Sequence, residues 1–405
     1  MHRASRPGWG VPVAVGLGLA LLIACAARNG GLRAPGAADA GVPDAAPGEH
    51  VGLEIGDGGA SLGAPGLAMF MAGPRHRGRS PHEGPASAPR EAWSFRTGGR
   101  IYASPVIGPD GTVYVGSVDG TFNALSPEGR VVWSYVGGAP FFSSAAVSSM
   151  GHVYVGCDDG SFLAFHPSGR VLWSERQPQP FDSSPVVGDD GTIYVGGDGL
   201  HAFTPRGGRR WQVRIGDHVF ASPVVHPRRL VVFGDRGGTL RAVHDDGRDA
   251  FRLQLEGTIL GGATVLETGA IVVGTTAGQV VALDREGRQL WTSTATGPVS
   301  STPAEGLDGN VYVSSDDGRL TALDPETGAV RWRVQTGGPF RASPIIDTAG
   351  RIYIGSQDRF VYCIDPDGSV RWQHRLGGEV DSTGAIGPDG TYYTGCDDGA
   401  LHALR

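Results

Sequence analysis

A tryptophan recurs about every 40 residues along this chain, and its spacing constrains the fold more than any other feature. The interval between Trp211 and Trp291 spans two periods, and Phe251 lies at its midpoint. Eight equivalent positions therefore follow at spacings of 40, 40, 38, 40, 40, 41 and 40 residues: Trp93, Trp133, Trp173, Trp211, Phe251, Trp291, Trp332 and Trp372. A period of this length built from short strands is typical of a β-propeller with one blade per repeat.

Each repeat has the pattern of a four-stranded antiparallel meander. In the first repeat, apolar runs of about five residues alternate with turns rich in Asp, Pro and Gly, which are hairpin signals. The predicted strands are Ala103–Ile107, Thr112–Gly116, Thr121–Leu125 and Val131–Tyr135. The segment from each Trp position to the next inner strand has constant length, as expected for a rigid link between blades.

The two ends of the repeat region indicate how the ring closes. The chain enters the repeats on a Trp strand, at Trp93, and ends after a third strand, Leu401–Leu404. Pairing these two strands would complete the last blade and remove an exposed edge. The sequence therefore predicts an all-β, eight-bladed propeller over residues 91–405, whose last blade is closed by the N-terminal strand.

The N-terminus has the features of a lipoprotein signal peptide, predicted over residues 1–24. Arg3 and Arg6 precede an apolar run that is too short to span a membrane. The run ends in Leu-Ile-Ala-Cys, which resembles the bacterial lipobox and makes Cys25 the predicted lipidation site. Ala26 after the cysteine favours the outer membrane, with the protein facing the periplasm or the surface. The alternative is an ordinary secretory signal with an incidental cysteine.

Residues 25–90 are predicted to be a disordered tether. More than half of residues 26–90 are Gly, Ala or Pro, without strand or helix periodicity. The tether contains a short apolar patch at 67–71 and a basic cluster at 75–79. These two features are interpreted either as incidental linker composition or as a docking segment for a partner or anionic lipid headgroups.

One repeat carries a recognisable motif. The run from Ala322 to Trp332, with Asp324, Thr327 and Gly328, resembles the tryptophan-docking motif of PQQ-like (quinoprotein-type) propellers. That resemblance implies that each Trp stacks on the next blade and that the turn glycine permits a close approach. Together with the lipobox, the repeats resemble the BamB-like family of outer-membrane assembly lipoproteins. This implies a non-catalytic interaction scaffold, a monomeric propeller, whose partner is an envelope protein such as an outer-membrane barrel assembly protein.

A catalytic role is weighed against this scaffold role. The resemblance also extends to quinoprotein dehydrogenases, whose sites use vicinal cysteines and a metal ion, and the chain has no vicinal cysteine pair. The Asp-Asp-Gly sequences at Asp158, Asp316 and Asp397 are interpreted as hairpin turns. No catalytic, cofactor-binding or metal-binding residue is therefore predicted, and no cofactor. The net charge of −7 gives no indication of a nucleic-acid surface. A ligand- or glycan-binding lipoprotein and a PQQ-dependent dehydrogenase remain as alternatives.

A ring of variable residues is the predicted interaction site. One position in each inter-blade link varies in character, whereas the residue before it is always apolar and is expected to pack between blades. The variable position is aromatic or apolar on one arc and polar or charged on the other, which suits protein or peptide recognition. Loop variability without function is the alternative. The ring consists of Tyr102, Phe142, Asp182, Phe220, Leu260, Ser300, Arg341 and Asp381.

Overall fold

The eight repeats form eight antiparallel sheets in a computed structural model that describes residues 68–294 and 297–405. The predicted signal peptide and Cys25 lie outside the described residues. Strands are named A to D in chain order, from the buried strand A to the exposed strand D. Among the described residues no helix is long and apolar enough to cross a membrane.

The first four blades follow the predicted meander. Blade 1 contains Val106–Ile107, Val113–Gly116, Thr121–Leu125 and Val131–Val136. Blade 2 contains Ala146–Val147, Val153–Gly156, Ser161–Phe165 and Val171–Arg176. Blade 3 contains Val186–Val187, Ile193–Gly196, Gly199–Phe203 and Arg209–Arg214. Blade 4 contains Val224–His226, Leu230–Gly234, Thr239–His244 and Asp249–Gln254.

The last four blades repeat the pattern, and the eighth is composite. Blade 5 contains Thr264–Val265, Ile271–Gly274, Val280–Leu283 and Gln289–Ser293. Blade 6 contains Ala304–Glu305, Val311–Ser314, Arg319–Leu323 and Val330–Gln335. Blade 7 contains Ile345–Ile346, Ile352–Gly355, Phe360–Ile364 and Val370–Arg375. Blade 8 contains Ala385–Ile386, Tyr392–Gly395 and Ala400–Leu404, with Glu91–Arg96 as its strand D.

The predicted ring closure is confirmed. The strand Glu91–Arg96 pairs antiparallel with Ala400–Leu404, so that Trp93 lies opposite Ala403. Backbone hydrogen bonds in both directions between Arg90 and Arg405 extend this pairing to the end of the chain. The closing contact therefore joins the last residues of the chain to the start of the repeat region.

Neighbouring blades are joined by the recurring tryptophans. In blade 1, the indole N–H of Trp133 donates to the carbonyl of Pro167 in the next blade at 2.8 Å. Trp93, Trp173, Trp211, Trp291 and Trp332 make the same bond, at 2.8–2.9 Å, to the carbonyls of Pro127, Pro205, Asp245, Pro325 and Pro366. Phe251 occupies the equivalent position in blade 4 and has no N–H group, so the indole hydrogen bond is missing at this blade junction.

A glycine lies beneath the aromatic ring at these junctions. Gly169 has φ +84° in the turn after strand C of blade 2, and a Cβ atom there would lie 2.6 Å from Cγ of Trp133. Gly287 has the same relation to Phe251, at 2.6 Å. Both the positive φ and the lack of space therefore require glycine.

Small residues opposite each tryptophan complete the docking geometry. Trp133 lies across the strand pair from Ala124, and a β-bulge precedes it at Val132. All eight blades have this bulge, with Ala or Cys opposite the aromatic residue. Because a bulge increases the local twist, it turns the large ring from its own sheet toward the next blade.

A belt of hydroxyl groups links the blades near the axis. The amide N–H of Ser104 donates to Oγ of Ser144 in the next blade at 2.9 Å, and six further links of this kind follow around the ring. The belt is interrupted at one place, where blade 5 has Gly262 instead of a hydroxyl residue. The imidazole of His76 packs there, with its Nδ1 3.1 Å from the position of a Cβ atom on Gly262.

The prediction of a disordered tether is wrong for residues 68–90. Ala68–Met69 adds a fifth strand to blade 2, and residues 74–78 then contact the inner strands of four further blades. We call residues 68–90 the strap. Its basic cluster contacts the propeller itself, since Arg79 pairs with Glu267 at 3.0 Å and with Glu305 at 3.3 Å. Composition did not predict this ordered segment because the strap binds largely through backbone carbonyl groups, which are present in any sequence.

The strap also replaces a missing turn. By analogy with the other blades, Trp372 of blade 7 would dock on a turn between strands C and D of blade 8. Blade 8 has no such turn, because its strand D is Glu91–Arg96 and its strand C is Ala400–Leu404. The indole N–H of Trp372 donates instead to the carbonyl of Pro85 in the strap, at 2.9 Å. The hydroxyl of Tyr353 donates to the same carbonyl at 3.2 Å.

Replacing Gly169 by alanine tests the tryptophan docking. We expect Gly169→Ala to lower the free energy of unfolding by about 1–2 kcal/mol for its positive φ, and by more for the collision with Trp133. The matched control is Gly309→Ala, with φ +81° and no atom within 4 Å of the added Cβ. Urea denaturation measures both variants. Equal losses would show that the contact with the indole ring contributes nothing.

Candidate functional site

The predicted ring lies on one face of the propeller. The inter-blade loops that lead from strand D to the next strand A form this face, together with the turns between strands B and C. All eight ring residues are half-buried. The apolar residue before each of them is fully buried, with 0% exposure: Ile101, Phe141, Phe181, Val219, Ile259, Val299, Phe340 and Val380. The alternation expected from the sequence is therefore present, and we call this surface the loop face.

Aromatic residues dominate one arc of the loop face. The rings of Tyr102 and Phe142 stack across the junction between blades 1 and 2, with centroids 5.9 Å apart and planes at 25°. Arg100 donates to the Tyr102 hydroxyl at 2.9 Å, which orients the phenol. The guanidinium of Arg236 lies 5.7 Å from the ring centre of Phe220. These contacts hold flat apolar surfaces in place while part of each remains exposed.

The other arc is polar and internally paired. The amide of Gln357 donates to both oxygens of Asp381, at 3.0 and 3.2 Å, and Arg341 lies 3.9 Å from the same carboxylate. The hydroxyl of Ser300 donates to Asp316 at 3.1 Å. Asp182, which lies between Phe142 and Phe220 on the aromatic arc, pairs with His218 at 2.6 Å. The polar ring residues, like the aromatic ones, are thus held in place by partners from neighbouring loops.

The Asp-Asp-Gly sequences contribute to this face in a way that the turn interpretation missed. The second aspartate of each pair accepts a backbone N–H in its turn, as Asp159 does from Ser161 at 2.8 Å. The first aspartate does not cap the turn. Its backbone N–H donates to the preceding inter-blade loop, and one buried carboxylate oxygen has no hydrogen-bond partner among the described residues, in Asp158, Asp316 and Asp397 alike. The two aspartates are the same residue type, so only their positions in the turn distinguish the one that caps it from the one whose carboxylate is buried.

These first aspartates are difficult to ionise. Burial, followed by the charge of nearby Asp182, raises the pKa of Asp158 to about 7. Burial and then Asp381 raise the pKa of Asp397 to about 6. Burial also raises the pKa values of Asp316 and Asp381. The charge of the loop face therefore changes close to neutral pH.

One cluster of three carboxylate side chains is close enough together to hold a cation. Oxygens of Glu379, Asp381 and Asp397 lie within 4.8 Å of one another. Arg100 already pairs with Asp397 at 3.1 Å, and Arg341 and Gln357 contact Asp381. These partners satisfy most of the negative charge, so the arrangement is accounted for as an ion-pair network. The described cysteines, Cys157, Cys363 and Cys396, are free and buried.

The fold and its docking motif define a class of protein, the PQQ-like β-propellers. A family model described as outer membrane protein assembly factor BamB matches residues 85–186, 158–284, 236–386 and 319–404. These matches extend over nearly the whole propeller. The chain belongs to this BamB family.

Individual relatives are more distant. The outer membrane protein assembly factor BamB of Nitrosomonas eutropha is 30% identical over 128 residues, which is 31% of this chain and 31% of that protein. The chain thus matches about a third of that relative's length. The crystal structure of BamB from Moraxella catarrhalis superposes with a TM-score of 0.67 at 17% identity, covering 78% of this chain and 99% of that one.

Enzymes share the same fold. Quinohemoprotein alcohol dehydrogenase from Comamonas testosteroni superposes with a TM-score of 0.72 at 13% identity, covering 84% of this chain and 80% of that one. At such low identity the likeness establishes the propeller architecture alone. Function must therefore be argued from the residues of this chain.

The raised pKa of Asp158 predicts a pH-dependent effect on stability. In the unfolded chain this carboxyl ionises near its ordinary pKa of 3.8, whereas in the folded protein it stays protonated up to about pH 7. Its contribution is therefore largest below pH 4 and is lost as the pH rises to 7. We expect the melting temperature of Asp158→Asn, relative to the unsubstituted protein, to rise between pH 4 and pH 8.

The neighbouring aspartate is the control for this experiment. Hydrogen bonds from Ser161 lower the pKa of Asp159 despite partial burial. Asp159→Asn should therefore be less stable than the unsubstituted protein by a nearly constant margin from about pH 5 to pH 8, because this contribution is lost only as the pH falls below the ordinary pKa of 3.8. Thermal melts of both variants at several pH values measure the effect. Parallel behaviour of the two variants would contradict the assignment of separate roles.

Proposed function

We propose that this protein is a non-catalytic interaction scaffold whose loop face captures a partner protein in the cell envelope. The observation that carries the proposal is the stacked pair of Tyr102 and Phe142 beside the arginine-bearing loops. Half-buried aromatic rings fixed by their neighbours lose little conformational entropy on binding, and such residues dominate binding energy at protein interfaces. Membership of the BamB family supports a partner involved in outer-membrane protein assembly.

We propose further that the chain is attached to the outer membrane through lipid on Cys25. The lipobox-like sequence before Cys25 supports this attachment, and Ala26 favours the outer membrane over the inner one. Residues 26–67 then join the lipid to the strap. Because the strap docks on the propeller, the point of attachment would be fixed at the end of the axial channel opposite the loop face.

The dehydrogenase alternative fits the residues of this chain less well. Its sites use a vicinal cysteine pair, whereas each cysteine of the propeller stands alone and burial raises its pKa, to about 11 for Cys157. The grouped carboxylates of Glu379, Asp381 and Asp397 already contact arginine and glutamine side chains. These residues do not fit a quinone-and-metal site of the dehydrogenase type. Dye-linked dehydrogenase activity of the purified protein would favour that alternative.

Truncating Phe142 tests the role of the loop face. Phe142→Ala should weaken partner capture from solubilised membranes at least about tenfold, because removing an aromatic anchor costs about 2 kcal/mol of binding free energy. Arg341→Ala removes a charged side chain from the polar arc and should also weaken capture of the partner. Quantitative affinity capture measures the effect, and thermal melts establish that folding is preserved.

The control removes a similar apolar side chain from the opposite face. Met150 lies in the turn between strands A and B of blade 2 and is 69% exposed. Met150→Ala should leave capture unchanged. If Phe142→Ala and Arg341→Ala capture the partner as well as Met150→Ala does, the loop face is not the binding site.

Replacing Cys25 tests the membrane attachment separately. Cys25→Ala should move the protein from the membrane fraction to the soluble fraction, because the variant lacks the thiol that accepts the lipid. Fractionation of cells expressing the full chain measures this. A variant that stays in the membrane fraction at the level of the unsubstituted protein would contradict lipid anchoring through this residue.

A further inference from the structure

The strap forms hydrogen bonds with one particular set of backbone groups. In each blade, the second residue of strand A pairs with strand B in a non-hydrogen-bonded register, so that its N–H and C=O point toward the axial channel. The strap supplies acceptors for these amides. Val225, Val265, Glu305 and Ile346 donate to the carbonyls of Pro74, Arg75, Arg77 and Gly78 at 2.7–3.0 Å. Val147 of blade 2 pairs with Ala68.

Three equivalent amides have no such acceptor within residues 68–294 and 297–405. Ile107 of blade 1, Val187 of blade 3 and Ile386 of blade 8 donate to no backbone carbonyl among the described residues. Their register with strand B is the same as in the other blades, so these amides also point toward the channel. The strap therefore occupies five of eight equivalent strand edges, and no described residue pairs with the other three, which we call the available edges.

Two of the available edges are adjacent and border a cavity. Ile107 and Ile386 line a space of about 450 Å³ at the end of the channel opposite the loop face. Phe70 and Ala72 of the strap form its other side, and Pro105 and Pro388 flank it. The sole titratable side chain of the lining is His82, and burial lowers its pKa. The described lining is thus mostly apolar, with the hydroxyl groups of Ser80, Ser104 and Thr383, is uncharged at neutral pH, and has the amides of Ile107 and Ile386 at its edge.

We propose that this cavity binds an extended, uncharged apolar segment of a partner polypeptide, which pairs with the strand edges at Ile107 and Ile386. The strap shows which ligand such edges accept, because it is itself an extended peptide bound to five equivalent edges of the same ring. Backbone pairing would give affinity, and the apolar walls would select side chains without charge. This site lies on the face opposite the interaction ring, and the inference does not rest on the proposed scaffold function.

Proline at position 107 removes the donor without disturbing the sheet. The N–H of Ile107 makes no bond to strand B, and proline is tolerated on an edge strand whose N–H faces outward. Val187→Pro makes the same change at the available edge that does not line the cavity. The two variants therefore differ in whether the lost donor faces the proposed ligand.

The probe is a dye-labelled hexapeptide of alternating valine and threonine with blocked ends, measured by fluorescence anisotropy on the full-length protein. We expect saturable binding, weakened about threefold to tenfold by Ile107→Pro and unchanged by Val187→Pro, the range expected for one lost hydrogen bond. The same peptide with alternate amides N-methylated cannot donate to the carbonyls of the strand edges, so it should bind the unsubstituted protein more weakly than the parent peptide does.

Three results would overturn the proposal. One is that the unsubstituted protein does not bind the hexapeptide. Another is that binding is insensitive both to Ile107→Pro and to N-methylation, which would mean that the cavity binds the peptide by nonspecific hydrophobic contact and not through its backbone. The third is that both proline variants weaken binding equally, which would indicate a general effect of proline on the inner strands. None of these results bears on capture by the loop face, which Phe142→Ala tests.

Discussion

The structure depends on the packing of an aromatic ring from one blade onto a turn glycine of the next. Each blade alone exposes an apolar face, and stacking eight of them buries a continuous interior. The indole N–H bond, the positive φ of the glycine and the bulge before the tryptophan fix the relative position of two sheets. This docking is repeated at the junctions between blades. The inter-blade loops therefore end at the same level along the propeller axis, and their ring residues form one face.

Most of the scaffold could be predicted because it depends on local, repeated chemistry. The spacing of the tryptophans gave the number of blades, and the unmatched strands at Trp93 and Leu401–Leu404 indicated the closure that the pairing of Trp93 with Ala403 confirms. The buried residue before each ring position followed from strand alternation. The strap was missed because its recognition uses backbone groups: Pro74, Arg75 and Gly78 contribute carbonyl oxygens, and side-chain patterns carry no information about those.

The loop face was predicted only in part for a related reason. Residue types located the ring, but the pKa of Asp158 is raised by burial and then by the charge of Asp182, while His218 opposes the shift, and these residues are far apart in sequence. The two aspartates of each Asp-Asp-Gly look alike in the sequence, and only the turn geometry separates a cap from a buried carboxyl. The propeller thus presents two distinct surfaces, an aromatic and titratable loop face and an opposite channel end covered by the strap.

Site-specific photocrosslinking in living cells tests most directly whether the loop face binds an envelope protein, as we propose. A photoreactive amino acid placed at position 142 should crosslink to a defined envelope protein. The same amino acid at position 150, on the opposite face, should not form that product. Crosslinks of equal yield from both positions, or none from position 142 while the protein is folded and abundant, would contradict the account.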